Sequence, residues 1–79
     1  DIGPGALDDG AGVAIAIEAA RLAGQARPRP RRTIRVVLFA NEEFGLSGAN
    51  RYPVDEQAAI GRHAVAMEAD SGAGPAWRI

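Results

Sequence analysis

The run Thr33–Ile34–Arg35–Val36–Val37–Leu38–Phe39–Ala40, closed by Asn41–Glu42–Glu43, leaves this chain few folds to choose from. β-Branched and aromatic residues favour a strand. The nearly continuous apolar end over 36–40 is the pattern of a central strand covered on both faces. Such a strand needs neighbours beside it and helices above and below. Of the 79 residues, 37 are hydrophobic, but 17 of these are alanine, so 16 larger aliphatic residues and 4 aromatics remain to fill a core. One core of this size rarely supplies more than about 3–5 kcal/mol, and a chain without cysteine has no disulfide to add. The chain is therefore either a marginal domain or a piece of a larger sheet whose remaining strands lie outside this sequence.

The flanking segments agree with that reading. Residues 1–12 are rich in glycine and acids and read as an irregular loop, with Asp9 placed as an N-cap or first-turn acid of a helix. That helix, rich in alanine, is expected over about 10–23, stopped by Gly24, with Val13, Ile17, Ala20 and Gly24 at helical spacing on one face. The connector Arg27–Pro28–Arg29–Pro30–Arg31–Arg32 cannot be helical, because each proline removes a donor and restricts the residue before it. After the strand, a short helix is expected from near Ser47 to before Pro53, and a second over 55–60. A second strand is expected over Ala64–Ala69. Helix, strand, helix, strand implies right-handed crossovers and a parallel sheet, an α/β architecture.

Composition removes most catalytic chemistries. No cysteine means no thiolate and no cysteine-held zinc, and no lysine means no Walker-type phosphate loop and no Schiff base. A net charge of −1 argues against nucleic acid as a partner, and no aromatic residue interleaves the five arginines of 27–35. No apolar stretch approaches the roughly 20 residues that cross a bilayer. Ten carboxylates remain. Six fall in three clusters, Asp8 with Asp9, Glu42 with Glu43, and Glu68 with Asp70, and the last two lie at the carboxyl ends of the expected strands. In an open parallel sheet those ends face one crevice, where ligands bind. Gathered carboxylates repel unless a cation neutralises them, and a divalent metal is the usual one. A single cluster could equally be a solvated turn.

Three motifs in order then carry a resemblance. Gly5–Ala6–Leu7–Asp8–Asp9–Gly10–Ala11–Gly12 before a helix, Leu38–Phe39–Ala40–Asn41–Glu42–Glu43–Phe44–Gly45 at the end of the strand, and Met67–Glu68–Ala69–Asp70 resemble the co-catalytic di-zinc exopeptidases. This is the family of bacterial leucyl aminopeptidases and glutamate carboxypeptidases, and its plasma carboxypeptidase branch looks nearest. The resemblance implies a three-layer α/β/α fold with a mostly parallel central sheet. It implies two Zn2+ ions per complete domain, a peptide or dipeptide substrate, and a secreted or periplasmic location. Carried over by position, Asp8 is the carboxylate bridging both ions, Glu43 and Asp70 each hold one, and Glu42 is the general base that deprotonates the bridging water and returns the proton to the leaving amine. Two metals about 3.5–4 Å apart need an anionic bridge, and an acid beside a ligand can move a proton without itself coordinating. On an extended backbone the neighbours Glu42 and Glu43 would point apart. The resemblance also implies a cis bond between Asp8 and Asp9.

The family uses further histidines, one upstream of the first motif and one far downstream, and His63 stands at neither position. Residues 1–79 therefore read as an internal fragment of one zinc peptidase catalytic domain, expected to be inactive alone. Competing readings are a glutaminyl-cyclase-like zinc enzyme on the same scaffold and a binding domain without catalysis. The four retained carboxylates and the Asn–Glu–Glu context favour the exopeptidase. Tyr52 and Trp77 are candidates for lining a substrate pocket, with packing the simpler role, and Glu68 is a candidate support for Asp70.

Overall fold

The computed structural model describes residues 3–70, 72, 74 and 75. The chain divides into two compact units, Asp1–Val36 with Glu68–Ile79, and Val37–Met67. Three helices are present among the described residues, α1 over Ala11–Gln25, α2 over Ser47–Asp55 and α3 over Gln57–Ile60.

In the first unit, a wide turn over Ala6–Gly10 leads into α1 and is closed by the Gly10 N–H donating to the Gly5 carbonyl at 2.7 Å. Asp9 caps the helix as expected: its Oδ1 accepts from the Gly12 N–H at 2.9 Å, satisfying one of the donors that a helix start leaves unpaired. Gly24 does not stop α1. It lies inside the helix, and the chain leaves only at Ala26 (φ −61°, ψ 144°), just ahead of the proline connector. The Arg27 guanidinium closes that end, donating to the carbonyls of Ala26 at 2.8 Å and Gly24 at 3.4 Å. Arg29 and Pro30 line a cleft with Ala20, Ala23 and Gly24, so the connector runs along the small-residue side of α1. This shifts the covered face from the expected one: Val13, Ala16, Ala20 and Ala23 are half-buried, while Ile17 is 50% exposed.

On the outer surface of α1 Arg21 donates to both carboxylate oxygens of Glu18, at 2.7 and 2.6 Å, which holds the Glu18 carboxyl below its usual range. A Cβ at Gly24 would meet nothing within 4 Å. Replacing a glycine in the last turn of a helix by alanine removes backbone freedom from the unfolded chain, so Gly24→Ala is expected to stabilise the full-length protein by about 0.4–1 kcal/mol, read as a rise in the urea midpoint at unchanged slope.

The second unit is built on the loop 41–46. Asn41 adopts a left-handed conformation (φ 64°), which asparagine tolerates better than most residues, and its amide donates to Ser47 Oγ at 2.9 Å. Helix α2 does not end before Pro53 but carries it as its seventh residue, through to Asp55. Proline there removes one donor near the end of a short helix, and the last turn still closes through the Glu56 N–H on the Tyr52 carbonyl at 2.9 Å. Glu56 (φ −101°, ψ 23°) then separates α2 from α3, so the second helix starts two residues later than the sequence suggests.

Neither expected strand forms a ladder among the described residues: 33–39 and 63–70 belong to no helix or sheet. A strand exists only with a hydrogen-bonded neighbour, and apolar pattern alone supplies none. The consequence is exposed apolar surface, with Leu38 57%, Phe39 46%, Val65 76% and Met67 88% accessible, and no buried hydrophobic residue among those described. No helix of the described residues is long and apolar enough to cross a membrane.

Candidate metal centre

Asp8 sits in the wide turn before α1 with non-helical backbone (φ −130°, ψ 93°) and an exposed side chain. The Asp8–Asp9 peptide bond is cis, as the resemblance implies. The two aspartates are in different situations: the Asp9 carboxylate is bonded to the α1 backbone and partly buried, whereas the Asp8 carboxylate is exposed.

Asp70 is also exposed and also belongs to the first unit. Its segment is seated against the Asp8 turn at two points. The Gly72 N–H donates to the Leu7 carbonyl at 3.3 Å. The Ala69 carbonyl lies so close to Gly12 that a Cβ there would overlap it, and the same Cβ would overlap the Asp9 carboxylate, with Oδ2 at 2.6 Å. Gly12 is buried, the one residue of α1 that is. The residues directly before Asp8 and directly before Asp70 are thus the ones that make these contacts.

In the second unit Glu42 and Glu43 occupy a single 3-10 turn, Glu42–Phe44, rather than the extended backbone expected. Successive residues of such a turn are about 120° apart, so the two carboxylates still diverge. The turn is held from both sides: the Leu46 N–H donates to the carbonyls of Asn41 at 3.1 Å and Glu42 at 3.3 Å, and the Gly48 N–H donates to the Ala40 carbonyl at 3.1 Å. Gly48 repeats the close approach of Gly12. A Cβ there would stand 2.6 Å from the Ala40 oxygen and 2.7 Å from its nitrogen.

His63 is accounted for by local bonds. Its Nδ1 lies 2.9 Å from the Ala59 carbonyl and its Nε2 lies 2.8 Å from the Tyr52 hydroxyl. A carbonyl only accepts, so Nδ1 carries the proton and Nε2 accepts from the tyrosine when the ring is neutral. Tyr52 in turn packs edge-on against Phe39, with centroids 5.8 Å apart. Tyr52 therefore has the packing role that the sequence gives as the simpler one. Glu68 is exposed, and Ser71 and Trp77 lie outside the described residues.

Among the described residues no three histidine or carboxylate side chains converge as a metal cage. The donors themselves suit zinc: Asp8 and Asp70 are exposed carboxylates on neighbouring segments, and zinc accepts carboxylate oxygen at about 2.0–2.2 Å. Sequence reasoning missed the organising residues Gly12, Asn41 and Gly48. Their trace was visible only as glycine or asparagine placed near the acidic motifs.

A family model described as peptidase family M28 matches residues 1–75. The chain belongs to peptidase family M28. It is 47% identical to carboxypeptidase Q of Mus musculus and 42% identical to carboxypeptidase Q of Homo sapiens, each over 72 residues that make up 91% of this chain and 15% of the relative. It is 50% identical over 46 residues, 58% of the chain and 10% of the relative, to a protein of Pyrenophora tritici-repentis named "Probable zinc metalloprotease". The chain spans about 15% of the length of the carboxypeptidase Q relatives it matches. No solved structure matches it.

Proposed function

We propose that this M28 chain is part of the catalytic domain of a zinc exopeptidase that hydrolyses a terminal peptide bond in peptides or dipeptides. The observation that carries the reading is the pairing of Asp8 and Asp70 on segments joined by the Leu7–Gly72 hydrogen bond and the Gly12–Ala69 contact. Two acidic motifs far apart in sequence then serve one place in the fold. The relatives' names, carboxypeptidase Q and zinc metalloprotease, support the same reaction class.

In this reading Asp8, Asp70 and Glu43 would hold the zinc, with Asp8 as the carboxylate shared by two ions. When bound, zinc supplies Lewis acidity toward the peptide carbonyl and lowers the pKa of water. Glu42 does the proton work. Its carboxylate takes a proton from the attacking water and delivers it to the departing amine nitrogen, so one residue acts as base and then as acid. Asp9 Oδ1 accepts from the Gly12 N–H, which ties that carboxylate to the start of α1.

The domain is of the three-layer α/β/α type with a mostly parallel sheet. The exposed apolar surface of Ile34, Val36, Leu38, Phe39, Val65 and Met67 supports this, since these residues make sense as strands with neighbours on both sides. Secretion or periplasmic export fits the resemblance. The test is hydrolysis of a dipeptide panel by the full-length protein, before and after dialysis against a zinc chelator. Activity is expected to fall at least tenfold on chelation and to return with added zinc, whereas activity indifferent to the chelator would overturn the reading.

A further inference from the structure

The Asp8 turn and the Asp70 segment meet where no side chain can fit. Gly12 is buried in the first turn of α1, its N–H is held by Asp9, and its α-carbon stands against the Ala69 carbonyl and the Asp9 carboxylate so closely that a Cβ would overlap both. Neither neighbour is the loose end of a long chain. One is backbone, and the other is a short carboxylate fixed by its own hydrogen bond. Such a contact sets the distance between two segments in the way a larger residue cannot, because any added atom must be accommodated by moving backbone.

We infer that Gly12 is a positioning residue for metal binding, its missing side chain fixing the spacing between the segments that present Asp8 and Asp70. This rests on the zinc reading proposed above and adds to it the element that sets the ligand spacing. Asp8 directly precedes the cap residue Asp9, and Asp70 directly follows Ala69. A Cβ at Gly12 therefore displaces Ala69 and the Asp9 cap together and carries both ligand carboxylates with them. Partners outside the ligand set that orient metal ligands commonly change metal affinity about 10–100-fold when altered.

The test uses the full-length protein and reads zinc affinity by competition with a chromophoric chelator, at a temperature where circular dichroism shows every variant folded. Gly12→Ala is expected to bind zinc at least tenfold more weakly than the parent. Gly24→Ala, in the same helix with open space around its Cβ, is expected to bind it equally well. A merely structural role would lower the melting temperature of Gly12→Ala and leave its zinc affinity intact, which would overturn the inference. If Gly12→Ala does not fold, Asp9 decides: Asp9→Asn keeps an oxygen for the Gly12 N–H and is expected to bind zinc within about threefold of the parent, while Asp9→Ala frees the turn and is expected to bind it several-fold more weakly. Equal affinity in Asp9→Ala and Asp9→Asn would also overturn it. A parent protein that binds no zinc would overturn the underlying reading as well, which separates that failure from a failure of the glycine contact alone.

Discussion

Glu42→Gln in the full-length protein is expected to lower dipeptide hydrolysis by about 10²–10⁴-fold, the range a positioned general base contributes, while zinc content stays near two ions per chain. The amide keeps the shape and much of the hydrogen bonding of the carboxylate but cannot carry a proton between water and the leaving amine. Since Glu42 shares its turn with Glu43, the zinc measurement decides what the kinetics mean. A loss of activity with zinc retained assigns the proton transfer to Glu42. A parallel loss of zinc would make Glu42 a ligand, and unchanged kcat would remove it from the mechanism.

Asp8→Ala is expected to lose zinc and activity together. Removing the carboxylate proposed to bridge both ions leaves like-charged metals without the anion between them. Zinc content, measured by mass spectrometry after desalting, is expected to fall from near two to below one per chain, and hydrolysis to fall to background. The parallel change at Asp70 touches one ion only and is expected to leave about one. Zinc content of two in Asp8→Ala would exclude a bridging role.

The proposed metal chemistry rests on residue types, because carboxylates in an otherwise cysteine-free and lysine-free chain leave little else to work with. The helix over 11–25 is legible from its alanines, and its start from Asp9. Its end is not, since glycine weakens a helix but only the proline connector forbids it, and Arg27 supplies the closing bonds from beyond the last turn. Pro53 misleads as a boundary for a similar reason. Near the end of a short helix the bond it removes is one the helix can lose. The strands are patterns of burial, and burial depends on residues elsewhere, so the stretches 33–39 and 63–70 hold no ladder among the described residues. The glycine contacts are the least legible part. Nothing in a sequence says which glycine is small because the backbone needs freedom and which because another carbonyl occupies its side-chain space.

The turn over Ala6–Gly10 also makes its two adjacent aspartates inequivalent. They are chemically identical, yet one is tied to the helix it begins and the other is turned outward. Role is assigned by register and not by residue type. A deletion or insertion of one residue between Gly10 and Gly12 would therefore preserve the Asp–Asp–Gly signature to any pattern search while shifting both carboxylates in register against Gly12 and the first turn of α1, so the motif's meaning resides in its phase relative to the helix.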